Sequence, residues 1–428
     1  MLIRTTPPKI KDPIEFDIHL PPCDKHILSN GVEVYSVNMG TEDTMMVNWV
    51  FKAGNCYEDK KTVASAVNQL LKNGTSRLSA FEISEHFEYH GAYLNKSCHN
   101  ETAEISLHCL SKHINALLPV VGEIISDSIY PEKELAIYKQ NSKQKLSVNL
   151  QKCEFVASRL IDAHLFGEQH PYGKYNNIED YDALQREDIM TFYNQRYRYG
   201  SCVIFVAGKL PDDLPDRFEE EFGKLPLRSH RIAGEPICYE YAPSAEKKRL
   251  VMNDAQGVQA AIRIARDFPN RKHPDFQKAM VLNNVYGGYF GSRLMANIRE
   301  DKGYTYGIYS YLMNHIGESG WMISTEAGRD VSEATITEIY AEMEELRNET
   351  IDEEELLITK NYMIGTILGD LDGAFQVASR WKNLILNDLD ENYFHDAIRV
   401  IKTVSSNELQ AIANKYLLPE EFYEVVVI

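Results

Sequence analysis

Between Gly287 and Ser310 the chain reads GGYFGSRLMANIREDKGYTYGIYS, and this stretch holds the residues whose types and spacing best suit chemistry. Glycines flank a short helical segment on both sides, and the aromatic run after Gly303 alternates as a strand does. Arg299 then falls near the end of the helix and Tyr306 on the following strand, where a guanidinium and a phenol can converge. Both donate hydrogen bonds at neutral pH, so together they could hold a peptide carbonyl or stabilise a developing oxyanion. The plainer alternative is an arginine capping a helix C-terminus and a tyrosine at the edge of the core.

Other groups are weaker candidates. His86-Phe-Glu-Tyr-His90 places two histidines at i and i+4 on a helix, a spacing that can bind a metal, but Glu88 lies on another side of that helix. The expected role is a pair of solvated or capping histidines ahead of Gly91. Cys98 beside His99 makes no nucleophilic dyad, because neighbouring strand residues face opposite ways. The acidic run Asp352-Glu-Glu-Glu355 starts a helix and favours its positive N-terminal end, so it carries no chemistry.

The elements that must position these residues follow from pattern. Asn30-Gly31 is a hairpin signal leading into VEVYSV and MMVNWVFKAG, which read as strands. Helices are expected from about Lys61 to Lys72, from Ser79 to His90 with a stop at Gly91, from about Lys112 to Asp127, and from Pro131 to about Leu150. Sliding the chain on itself by a little over 210 residues reveals two halves. Glu187-Asp-Ile-Met-Thr-Phe-Tyr before CVIFVAG matches Asn407-Glu-Leu-Gln-Ala-Ile-Ala before FYEVVVI, and Ser76-Arg77-Leu78 matches Ser292-Arg293-Leu294. A duplicated α+β unit fits, each copy a mixed, largely antiparallel sheet packed with helices. The copies are expected at 1–225 and 246–428, joined by a Pro- and charge-rich exposed linker at 226–245.

Composition narrows the function. Lys and Arg total 45 against 63 Asp and Glu, a net charge of −18 without a dense basic block, which argues against a nucleic-acid partner. No apolar run approaches the length of a membrane-spanning helix, and the N-terminus lacks the apolar stretch of a secretory signal. The seven scattered cysteines form no C-x-x-C pair and suggest reduced thiols. A cytoplasmic location is expected, or a periplasmic one if a signal has been removed.

The run GG-x-x-x-SRL-x-x-x-IRE-x-x-G-x-x-Y-x-I-x-S resembles the C-terminal signature of the pitrilysin/insulinase-type metallopeptidases, which include the mitochondrial processing peptidase subunits. VNWVFKAGNCYED, NGTSRLSAFEISEHFEYHGAYLN, HPYG at 170–173 and CVIFVAG follow in the family's order, so the resemblance spans nearly the whole chain. Such an enzyme needs H-x-x-E-H on the helix before the Gly74-Thr75 turn: two histidines on one face bind zinc, and the glutamate acts on the metal-bound water. Here those positions read Ser65, Asn68 and Gln69. The third ligand should fall near Gln144, and no carboxylate lies between Tyr138 and Gln151. None of these groups makes a zinc site, and Asn68 cannot abstract a proton.

The resemblance therefore implies the partner without zinc, a chain that binds no metal itself. In two-chain members one subunit carries the metal and the other contributes an Arg and a Tyr, seven residues apart, that grip substrate across the interface; here 306 − 299 = 7. It also places Asn95, Lys96, Ser97, Cys98 and His99 where family members add an extended substrate to a sheet edge. Gly287 and Gly288 are read as permitting close backbone packing. The expected partners are a zinc-bearing subunit of the same family, or a second copy in its absence, and a peptide substrate. The rival reading is a structural or interaction protein that keeps the fold without proteolysis.

Overall fold

The computed structural model describes residues 11–230, 239 and 241–428. By their contacts the residues form two units. The first comprises 22–256, 373–383 and 423–428; the second comprises 11–21, 257–372 and 384–422. The exchange of short segments between halves is invisible to a reading that cuts the chain once.

The first unit is built on a sheet of β1 (Asp24–Ile27), β2 (Glu33–Asn38), β3 (Thr44–Phe51), β4 (Tyr93–Cys98), β5 (Ala103–Leu110), β6 (Ser201–Gly208) and β7 (Arg228–Ser229). Its order is β1-β2-β6-β3-β5-β4, with β7 also on β6. The β3–β5, β3–β6 and β4–β5 pairs are antiparallel, and β2–β6 is parallel. Helices α1 (Val63–Leu70), α2 (Ala80–Tyr89), α3 (Ile114–Asp127), α4 (Glu132–Asn149) and α5 (Cys153–Phe166) belong to the same unit. Alternation sorts the central strand: Met45, Val47, Trp49 and Phe51 enter a core with Val63, Ala66, Val67 and Leu70 of α1 and the buried face of α3. On the opposite face Asn48, Glu104 and Ser106 are polar, and Lys382 of the returning segment satisfies them, its Nζ lying 2.8 Å from Glu104 and 3.2 Å from Asn48. β8 (Lys248–Val251) and β12 (Tyr423–Val427) pair in parallel.

Local chemistry fixes the helix ends near the site. Glu58 accepts from the Ala64 N–H and so covers the start of α1, where Thr62 sits at φ 74°. Ser79 and Glu82 form a capping box on α2, and Gly91 follows at φ 59°.

In the second unit β9 (Gln259–Phe268), β10 (Thr305–Leu312) and β11 (Ser319–Gly328) are antiparallel, with β11 central among the three. Helices Phe276–Asn283, Ser332–Asn348, Glu353–Asp370, Glu391–Thr403 and Ser406–Tyr416 belong to it. Gly287 allows the close approach expected of it: a Cβ there would meet Ser310 Cβ at 2.7 Å and Leu294 Cδ1 at 2.8 Å.

The stretch 226–245, expected as exposed linker, begins inside the first unit. Leu227 and His230 are buried, and Arg228–Ser229 pair with β6, because an apolar residue and two free strand positions continue the sheet. Residues 231–238 and 240 of that stretch, Cys238 among them, lie outside the described residues. The other six cysteines are free, and burial pushes the Cys56, Cys98 and Cys109 thiols up to about 12. No helix among the described residues is long and apolar enough to cross a membrane.

Candidate functional site

The positions where a zinc motif would stand lie on α1. Ser65 and Gln69, four residues apart, share a face and line a cleft of about 580 Å³ against α4. Asn68 turns the other way. It is fully buried, and its Nδ2 donates to the Glu104 carbonyl and the Tyr197 hydroxyl, both at 3.2 Å, while its Oδ1 has no partner among the described residues. The side chain at the general-base position is thus an amide tied to the sheet.

Across the cleft α4 presents Tyr138, Asn141, Ser142 and Lys145. Tyr138 and Ser65 place their hydroxyls 3.3 Å apart, and Tyr138 also bonds Ser142, so Ser65, Tyr138 and Ser142 bridge the two helices. Burial pushes the Tyr138 phenol up to about 12, which keeps it a neutral donor. Gln144 is exposed and lines a shallower neighbouring pocket. A count along the sequence points to 144; the residues that face α1 follow the helical stripe 134, 138, 141, 142, 145, which spacing alone could have revealed. A set of hydroxyls, amides, one ammonium and the single carboxylate of Glu134 does not suit zinc, and among the described residues no group of three or more His, Cys, Asp or Glu could hold a metal ion.

The two histidines of α2 have other work. His86 Nε2 lies 2.8 Å from the Ala116 carbonyl, and His90 Nδ1 lies 2.8 Å from the His86 carbonyl. Next to α1, β4 ends the sheet order, so among the described residues its outer edge faces no other strand of that sheet. It carries Asn95, Lys96, Ser97 and Cys98, and His99 follows. Lys96 Nζ donates to the Gln69 carbonyl in the last turn of α1. Burial, with Lys72 nearby, lowers the Lys96 ammonium to about 7. Cys98 stays a thiol, which removes the nucleophile a Cys–His dyad would need.

In the second unit Arg299 and Tyr306 reach their positions by two departures from regular geometry. Residues Met295–Asp301 are wound as a π-helix, and Arg299 sets its guanidinium 4.5 Å over the Phe290 ring. The register of β10 on β11 slips between Thr305 and Ile308, so Tyr306 and Gly307 stand opposite Glu326 alone. The Thr305 hydroxyl donates to the Glu326 carbonyl at 2.6 Å and the Thr325 hydroxyl to the Gly307 carbonyl at 2.9 Å, which holds the bulge. Tyr306 is 91% exposed, and Tyr309 and Tyr311 are also exposed, while Ile308, Ser310 and Leu312 are buried. No hydrogen bond joins Arg299 to Tyr306 among the described residues. The threonines and Phe290 went unnoticed as supports in the sequence, although Phe290 lies in the same glycine-framed run.

Arg293 anchors this segment. Its Nε and Nη2 lie 2.8 and 2.9 Å from the two Glu355 oxygens, and Nη1 lies 3.0 Å from Glu345.

Residues 183–363 match the family model described as Peptidase M16 inactive domain. An uncharacterized zinc protease of Rickettsia felis is 22% identical over 404 residues, 93% of this chain and 90% of that one. A probable mitochondrial-processing peptidase subunit beta of Schizosaccharomyces pombe is 24% identical over 283 residues, 63% of this chain and 60% of that one. The crystal structure of a peptidase M16 inactive domain from Pseudomonas fluorescens shares the fold, with a TM-score of 0.86, 22% identity and coverage of 95% and 98% of the two chains. With the α+β architecture and a cleft unsuited to zinc already in view, these matches make residues 183–363 similar to the inactive domain of M16 peptidases and give the chain the fold of such proteins.

Proposed function

We propose that the chain is the non-catalytic, substrate-gripping subunit of a two-chain zinc peptidase. Zinc resides in a partner of the same family, and Arg299 and Tyr306 reach the substrate backbone in the partner's active site. The observation that carries the reading is a contrast. Ser65 and Gln69 on the cleft face of α1, and Asn68 buried behind it, stand where metal-binding and proton-abstracting groups would, whereas a bulge held by two threonine hydroxyls presents to solvent a tyrosine with no side-chain partner among the described residues, seven residues after an arginine held over an aromatic ring. A guanidinium and a phenol there would bind a peptide carbonyl and follow its charge as an oxyanion forms. The free edge of β4 would take the peptide in extended form, its backbone groups giving sequence-tolerant binding.

The test is a peptidase assay of the chain, of a zinc-bearing family member from the same organism, and of the mixture. Hydrolysis that needs both chains, and that falls with Arg299→Ala and with Tyr306→Phe while the complex still forms, supports the reading. Full activity of the zinc-bearing chain alone, unchanged by addition of this one, assigns the chain to a scaffold role instead. Zinc-dependent hydrolysis by this chain alone refutes both.

A further inference from the structure

We propose that the cleft between α1 and α4 is a binding site for short free oligopeptides, held by both charged ends and not cut. The cleft has the size of a small-ligand site, and its lining sets polar groups among apolar ones, Leu70, Ile137, Leu146 and Phe155, without any means of metal catalysis. Its charge is arranged along α4. Of the cleft-lining residues on this helix Glu134 comes first, Lys145 stands one turn before the last, Asn149, and Tyr138, Asn141 and Ser142 supply neutral hydroxyl and amide groups between the two charges. The two charges are 145 − 134 = 11 residues apart on one helix, and at 1.5 Å per residue this is about 16 Å. An extended peptide of about five residues, at roughly 3.4 Å each, has the same distance between its α-amine and its α-carboxylate.

The groups are available. Glu134 uses Oε2 to accept from Asn73 Nδ2 at 2.7 Å, which orients the carboxylate and leaves Oε1 open. The Gln69, Asn141 and Lys145 side chains have no partner among the described residues, and two amides in mid-cleft match the N–H and C=O groups of a peptide backbone. With Ser65 and Asn68 in place of a metal ligand and a base, a peptide seated there meets no group that can attack it. The site does not depend on what Arg299 and Tyr306 do, and its test needs no partner chain.

The test is calorimetric titration of the full chain with Ala-Ser-Ala-Ser-Ala in four forms: free, N-acetylated, C-amidated and doubly blocked. The free peptide should bind, and each block should weaken binding roughly threefold to tenfold. Glu134→Gln, which keeps an oxygen for Asn73, should remove the sensitivity to acetylation alone; Lys145→Met should remove the sensitivity to amidation alone. Tripeptides and octapeptides should bind more weakly than the pentapeptide. Equal binding of the doubly blocked peptide would mean that the cleft takes internal chain segments, and overturns the proposal. So does no binding of the free peptide at 10 mM, or an end preference that survives both substitutions.

Discussion

Lys96→Met should stabilise the protein at pH 6 and lose that advantage by pH 9. Lys96 lies on β4 with its amine on the Gln69 carbonyl, and burial lowers it from 10.5 to about 7. The folded chain releases this proton near pH 7, whereas the unfolded chain keeps it up to about 10.5. Between those values the unfolded state binds more protons, so the wild-type protein gains stability as pH rises. Below pH 7 both states are protonated, and the full cost of the desolvated ammonium is present. At about 1.4 kcal/mol per pH unit the interval sets a ceiling of about 5 kcal/mol. Partial exposure at a strand edge and the hydrogen bond to Gln69 reduce this to about 1–2 kcal/mol. Methionine keeps the aliphatic length and removes the amine, so it should raise the urea midpoint at pH 6. At pH 9 about 0.4 of that cost remains, because the unfolded chain is still protonated there, and the lost hydrogen bond of about 1 kcal/mol offsets it, so the difference should fall to about zero. The assay is urea unfolding of both proteins at pH 6, 7.5 and 9, with the Lys96 amine titrated by NMR alongside. A difference between the two proteins that is constant across pH, or that favours methionine more at pH 9, would refute the reasoning.

Further outcomes concern the two candidate regions. In the two-chain assay, Phe290→Ala should raise KM severalfold by freeing the Arg299 guanidinium, and Phe290→Tyr should restore it; a KM unchanged by Phe290→Ala while Arg299→Ala reduces activity would show that the ring does not orient the arginine. Ser65→His with Gln69→His should bind zinc only weakly, because two imidazoles lack a third ligand, and adding Ser142→Glu should tighten binding tenfold or more. Adding Gln144→Glu should not, since that side chain faces away from the cleft; equal gains from both, read by competition with a metal chelator, would put α4 in the wrong rotation. Arg293→Met should cost about 2–4 kcal/mol by urea unfolding, because it leaves Glu355 and Glu345 unpaired beside buried Glu342, whose carboxyl burial already raises; a loss under 0.5 kcal/mol would deny the cluster a structural role.

What the sequence displayed, and what it hid, divides along physical lines. Local rules operate within a few residues, so the capping box at Ser79, the left-handed Gly91, the hairpin before β2 and the alternation of β10 could all be read from short windows. The shared face of Ser65 and Gln69 was legible for the same reason: the i and i+4 positions of one helix are fixed by 3.6 residues per turn, and both do line the cleft. The facing ligand position was not, because it depends on the rotation of α4 about its own axis, which the packing of Leu135 and Leu146 decides. That rotation brings Ser142 inward and leaves Gln144 outside.

The bulge at Tyr306 needed the register of two strands, and the exchange of 373–383 and 423–428 between units needed contacts hundreds of residues apart in sequence, such as Lys382 with Glu104. Both features determine which polar groups face solvent, and therefore which can meet another molecule. Arg299 and Tyr306 would be unremarkable as residue types. The π-turn and the bulge set where they stand, and the bulge is held by hydroxyl bonds that a regular strand would not need. Replacing Thr305 and Thr325 by valine keeps the β-branched shape and removes those bonds. If the presentation of Tyr306 rests on them, the double variant should keep its fold by circular dichroism and lose activity with the zinc-bearing partner to the extent that Tyr306→Phe does. Unchanged activity in that variant would mean the bulge is held by the strand pairing alone.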